Sequence, residues 1–157
     1  MTRKTLASFV PALVLCLSAA WMGCDNDNDD DDNDYTVSAT LNSAQEVPVL
    51  AVPSTGSGTL TGTYDINTNN LQYNVSWQGL TAQASAAHFH GPALPGATAP
   101  PVVTFTITNN GVAGTATGNF TLSDAQEQDL LAGRWYVNVH TPNNTPGEIR
   151  GQVSATQ

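Results

Sequence analysis

From residue 35 onward the chain alternates apolar and polar positions in short runs, and turn residues separate the runs. Tyr35–Leu41 alternates, and so do Gly58–Asp65 and Leu71–Trp77, which flank Asn67-Thr68-Asn69-Asn70 as a hairpin turn. Ser85–His90 predicts a further strand, followed by a Pro- and Gly-rich loop from Gly91 to Pro101. Val102–Ile107 is β-branched and aromatic and reads as one strand ending at the turn Asn109-Asn110-Gly111, with Thr115–Leu122 as the next. Arg134–Thr141 and Glu148–Val153 form a final hairpin across Pro142–Gly147, in which Trp135, Val137 and Val139 face the core. One helix is predicted: Ser123 caps its start and Gly133 follows Leu130-Leu131-Ala132 as its stop. Many short strands with one short helix imply an all-β domain, a Greek-key-like β-sandwich or barrel, over 35–157.

The N-terminal segment has a different character. Arg3 and Lys4 precede an apolar stretch from Leu6 to Met22, and Gly23-Cys24 ends it. A basic start, an apolar middle and a small residue before the cut is the layout of a secretory signal over 1–23. The stretch is at the short end for crossing a bilayer, which takes about 20 residues, and a retained anchor is the alternative. Gly23-Cys24 resembles the end of a bacterial lipobox, although Trp21 and Met22 depart from its usual residues. That resemblance implies lipidation of Cys24 and display at the outer membrane or cell surface. Ordinary secretion, with Cys24 a free thiol, is the other reading.

Asp25–Asp34 holds seven aspartates and three asparagines. Such a run buries nothing and repels itself, so 24–34 reads as a lipidated Cys with an acidic, disordered tether. Weak calcium binding and surface sorting are further uses of such a run; an EF-hand loop is absent, because its Gly and Glu are missing.

Charge narrows the partners. Without the signal, only Arg134 and Arg150 stand against the thirteen acidic residues of the chain. Nucleic acid is excluded, since phosphate binding needs a basic footprint. Attachment to a membrane has to come from the lipid anchor, with two or more acyl chains. The two cysteines are Cys16, in the signal, and Cys24, so no disulfide can form within the exported domain.

Three stretches carry a family resemblance: Gln45-Glu46-Val47-Pro48, then Ala87-His88-Phe89-His90-Gly91-Pro92-Ala93, then Tyr136–Thr141 with Pro146-Gly147-Glu148-Ile149-Arg150-Gly151. Together they resemble the CHRD (chordin-type) domain family. The resemblance implies an extracellular all-β domain and fixes no single activity.

All three histidines lie in those stretches. His88 and His90, two apart on a strand, project from one face. If the strand of His140 pairs nearby, three imidazoles converge, a donor set that suits copper or zinc with a fourth position open. The arrangement is similar to the copper ligands of Cu,Zn superoxide dismutases, with Arg150 near the place of their guiding arginine; the bridging fourth histidine, the zinc loop and the disulfide are lacking. In a purely structural role the histidines would bond neighbouring carbonyls or carboxylates, with Glu148 a candidate. Glu148 and Arg150 are contact residues around the cluster, expected to form an exposed pair on one strand. Other catalytic motifs are missing: there is no Gly-x-Ser-x-Gly elbow and no phosphate loop. The chain therefore reads as an exported, non-enzymatic binding module for an extracellular protein or matrix partner. The alternative is a mononuclear copper or zinc protein with a possible redox role.

Overall fold

The computed structural model describes residues 34–157. The expected signal over 1–23, Cys24 and the acidic run up to Asn33 lie outside the described residues. Alternation becomes sheet directly: in β1 (Asp34–Asn42) Val37, Ala39 and Leu41 are buried and Thr36, Ser38 and Thr40 exposed. β2 (Ser57–Asp65) pairs with β1 over nine residues, and β3 (Asn70–Gln78) pairs with β2 over nine more. Their turn is held by Asp65 Oδ1, which accepts the backbone N–H groups of Asn67 at 2.8 Å and Thr68 at 3.2 Å. Asn69 closes the turn in the left-handed region at φ 55°, a conformation that asparagine tolerates better than most residues.

The remaining strands are β4 (Ala86–His90), β5 (Pro101–Thr104), β6 (Ile107–Asn109), β7 (Gly114–Thr121), β8 (Tyr136–His140), β9 (Ile149–Gln152) and β10 (Ser154–Thr156). All pair antiparallel in one sheet ordered β5-β4-β8-β9-β1-β2-β3-β7-β6, with β10 on β1. The stretch expected to be one strand at 102–107 is instead two. Phe105 turns inward, and its N–H donates to the Ala87 carbonyl at 2.9 Å. β5 then ends one side of the sheet while β6 starts the other. Two residues thus join the opposite edges, and the sheet must curl into a half-barrel. Phe105 fills the curl, 4.6 Å from Tyr73 on β3 and 4.7 Å from Phe89 on β4, centroid to centroid.

The helix α1 (Asp124–Leu131) sits where expected. The Ser123 N–H donates to Gln126 Oε1 at 2.9 Å, and Gly133 stops the helix at φ +66°. A short 3₁₀ turn, Ser43–Gln45, follows β1. No described helix is long and apolar enough to cross a membrane. With no cysteine among the described residues, the domain is held by a core that includes fully buried Trp135, Phe89, Leu41, Leu71 and Ile149. Each such side chain contributes about 1.5–3 kcal/mol of burial.

The two stretches of the sheet differ on their outer faces. Across β1, β2, β3 and β7 the outward rows run Thr40, Thr59, Ser76, Thr115 and Ser38, Thr61, Asn74, Thr117, a solvated hydroxyl and amide surface. On β8 and β9 the turn after β1 and the loop after β4 lie over the sheet. As a result Tyr136, Asn138 and Arg150 are buried although they alternate with the core residues Val137, Val139 and Ile149.

Candidate metal centre

β4 and β8 pair so that Ala86 faces His140, His88 faces Asn138 and His90 faces Tyr136. The residues of these cross-strand pairs share one face, so the register alone brings His140 beside His88, one step along the strand. The ring of His88 lies 5.4 Å from that of His90 and 4.9 Å from that of His140, and the His90 and His140 rings are 5.8 Å apart. One ring nitrogen from each lies within 4.8 Å of the others. The convergence expected for His88, His90 and His140 is present.

Backbone carbonyls set the tautomers. A carbonyl only accepts, so His140 Nδ1–H donates to Thr145 O at 3.0 Å and His90 Nδ1–H donates to Ala99 O at 2.9 Å. In the neutral rings both Nε2 atoms are then lone-pair donors to whatever they face. His140 Nε2 lies 3.0 Å from His88 Nδ1 and accepts its proton. His90 Nε2 is buried and has no partner. Two metal ligands at the usual 2.0–2.1 Å stand about 3 Å apart when they meet the ion near a right angle. The 3.0 Å contact has the spacing a chelating pair would need, and the unpartnered His90 Nε2 would be free to serve as a third donor.

Electrostatics keep the rings neutral. Burial, with the neighbouring rings of His140 and His90 adding to it, takes His88 down to about 4. Burial also lowers His90 and His140, outweighing the carbonyls of Ala99 and Thr145 that favour their charged forms. Neutral imidazole is the form that binds a metal ion.

The supporting residues depart from expectation. Glu148 touches no histidine and forms no ion pair with Arg150; both side chains are buried rather than exposed. Its oxygens accept four hydrogen bonds: from Ser54 Oγ at 2.6 Å, Thr81 N–H at 2.6 Å, Thr81 Oγ1 at 2.8 Å and Thr141 Oγ1 at 2.6 Å. Burial alone would raise its pKa; these bonds outweigh it and hold the carboxyl below its ordinary value. Glu148 thereby ties three loops together behind the turn that carries Thr145, and so positions His140 indirectly. Arg150 instead lies over Tyr136, its guanidinium carbon 3.5 Å from the ring centroid. Tyr136 in turn stacks on His90 at 4.8 Å with planes 8° apart. The phenol donates to Ala99 O and accepts from Ala99 N, each at 3.2 Å, and so fixes the segment that holds His90.

Sequence reasoning missed Tyr136, Asn138 and Glu46. The first two were legible as the positions that share a face of β8 with His140. Glu46 was not: it lies in the turn after β1, yet Asn138 Nδ2 donates to its Oε2 at 3.4 Å across 92 residues of chain.

Comparison with curated proteins and comparison with solved structures each return no significant match. The family profile described as CHRD domain matches residues 37–153, a span that takes in both histidine-bearing strands, the Glu148 tie and β9, and the chain accordingly belongs to the CHRD family.

Proposed function

We propose that this protein is an exported, lipid-anchored binding module whose ligand is a single metal ion, copper ahead of zinc, held by His88, His90 and His140. The observation that carries the reading is the ligand geometry: one ring nitrogen from each histidine within 4.8 Å of the others, two of them turned to Nε2 by backbone carbonyls. Three neutral imidazoles with a fourth position open suit both metals. Copper(II) ranks above zinc in the affinity order for nitrogen ligands, so it prevails where both are available.

The residues would act as follows. His90 and His140 present Nε2 without changing tautomer. His88 gives up its Nδ1 proton and carries a proton on Nε2 instead. When bound, copper supplies a one-electron redox centre, whereas zinc supplies a Lewis acid. Cys24, lipidated, and the acidic run to Asp34 hold the domain off the membrane, where an extracellular protein or matrix component is within reach.

The test uses the purified mature chain, loaded with copper(II) or zinc(II), dialysed, and assayed for bound metal. One equivalent in the wild type, lost in His88→Ala and in His90→Ala, supports the reading. Metal retained equally in wild type and both variants, or retained in none, removes it.

A further inference from the structure

The two ends of the sheet differ in charge. Asp34, at the start of β1, pairs with Asp65 at the end of β2. Asn70 pairs with Thr121 at that same end, and α1, with Asp124, Glu127 and Asp129, follows directly. At the other end Asn42, Ser57 and Gln78 meet across β1, β2 and β3, and Trp77 meets Gly114. Through Arg150 and β9, Ala86 and His140 meet there too. The connections 43–56, 79–85, 110–113 and 141–148 therefore gather at one end. Their only charged residues are Glu46 and Glu148, and both are buried.

That uncharged end carries apolar tips. Val49 is 91% exposed, Val112 52% and Val52 39%. The fourth large apolar side chain exposed among the described residues, Leu94 at 64%, lies elsewhere, in the loop after β4. All seven residues of the segment 47–53 are apolar. The tips are held in place by hydrogen bonds. The Val52 N–H donates to Asn144 Oδ1 and Asn144 Nδ2 donates to Val52 O, each at 3.0 Å. Asn143 Nδ2 donates to Thr81 O at 3.2 Å, and the Leu80 N–H donates to Val112 O at 3.1 Å. These bonds stitch the four connections into one surface. They also satisfy backbone groups of Val52 and Val112 that would otherwise need water, which a segment entering an apolar medium must do.

We propose that this end of the domain docks on an uncharged lipid surface, the interface of a zwitterionic bilayer, with Val49, Val52 and Val112 entering beneath the headgroups. Charge favours that occupant. The exposed carboxylates Asp34, Asp65 and Asp124 stand at the opposite end, and no basic residue here seeks an anionic headgroup. The tips come from separate loops linked through polar Thr81 and Asn143, so they lack the continuous apolar centre that a protein partner desolvates. A fluid surface accepts separate tips, with a strength that follows the apolar area buried. Docking of this kind needs neither an acyl chain nor a metal ion, so it stands apart from the preceding reading.

The experiment is co-sedimentation of the chain from residue 24 onward, carrying Cys24→Ser and free of metal, with phosphatidylcholine vesicles. Partition into the vesicles is expected, and it should be the same at about 0.1 M and about 1 M salt, because no ion pair is involved. Val49→Asp and Val112→Asp are each expected to weaken it roughly tenfold or more. Both residues are exposed, so the Tm of either variant stays at that of the parent. Leu94→Asp, away from this end, leaves partition unchanged. Partition retained in both valine variants, or lost equally in Leu94→Asp, overturns the proposal. A chain that ignores vesicles but dimerises in sedimentation velocity, with the dimer lost in Val49→Asp, assigns the end to a second copy. A chain that neither partitions nor associates leaves it to a protein partner. Each of these last two results also overturns the lipid assignment and leaves the metal reading intact.

Discussion

His88 Nδ1 and His140 Nε2 stand 3.0 Å apart, although 52 residues of chain separate them. The contact exists because β4 and β8 pair in a register that sets Ala86 against His140. The shared proton between the two rings is what a metal ion would displace.

A metal ion that binds only the folded protein raises its stability by mass action, by about 4 kcal/mol at a thousandfold excess over Kd. Thermal denaturation is expected to show a copper-dependent rise in Tm of several degrees in the wild type. In His88→Ala that rise disappears, while the metal-free Tm changes little because His88 is only half-buried. A copper-dependent rise of equal size in the variant would contradict the assignment.

Glu148 accepts four hydrogen bonds in a fully buried position. Glu148→Gln replaces two acceptors of a carboxylate with one acceptor and one misdirected donor, and is expected to cost about 2–4 kcal/mol in urea denaturation. The group's pKa is lower in the folded protein than its ordinary 4.5. Its stabilisation is therefore complete above pH 4.5 and is lost as the pH falls through the lower folded value. The wild type should lose its advantage over Glu148→Gln in acid.

Glu46 titrates in the opposite sense. Burial, only partly offset by the Arg150 charge and the Asn138 hydrogen bond, raises it from 4.5 to about 7. Folding favours its protonated form, so its contribution is complete below pH 4.5 and lost as the pH rises through about 7. The full swing is about 3 kcal/mol at order of magnitude. Glu46→Gln is expected to be the more stable protein at pH 8 and to show a flatter stability profile between about pH 5 and 8. Parallel profiles for the two proteins would refute the burial effect.

Gly147 occupies φ +143°, and a Cβ there would run into the Asn138 amide. Gly147→Ala is expected to destabilise the domain by about 1–3 kcal/mol and to shift the resonances of Asn138, with guanidinium chloride titration and amide spectra as the measurements.

Cys24→Ser is expected to block incorporation of labelled fatty acid into the exported chain and to leave the precursor uncleaved. Label found in the variant would disprove the anchor.

Strand positions were legible because their period of two matches a half-buried sheet: β1, β2 and β3 fall within a residue of the alternating runs. The split at Phe105 was not legible. Val102–Ile107 is uniformly strand-forming, and only the curl of the sheet, with Tyr73 and Phe89 waiting on opposite sides, makes the chain turn inward there. His88 and His90 could be placed on one face from spacing alone. His140 needed the register of β8, which no local pattern encodes. Glu148 read as solvent-exposed because its neighbours are Pro146, Gly147 and Arg150; its four donors come from Ser54, Thr81 and Thr141, scattered through the sequence. Arg150 was misjudged for a related reason, since the cover over β8 and β9 is supplied by loops far away in the chain.

The free borders of the sheet are short: β5 has four residues and β6 three. Strand recruitment needs a longer ladder of open amide and carbonyl groups. Copies crowded side by side would thus have little backbone to zip onto one another, and the domain keeps this protection against amyloid-like stacking without a single crosslink.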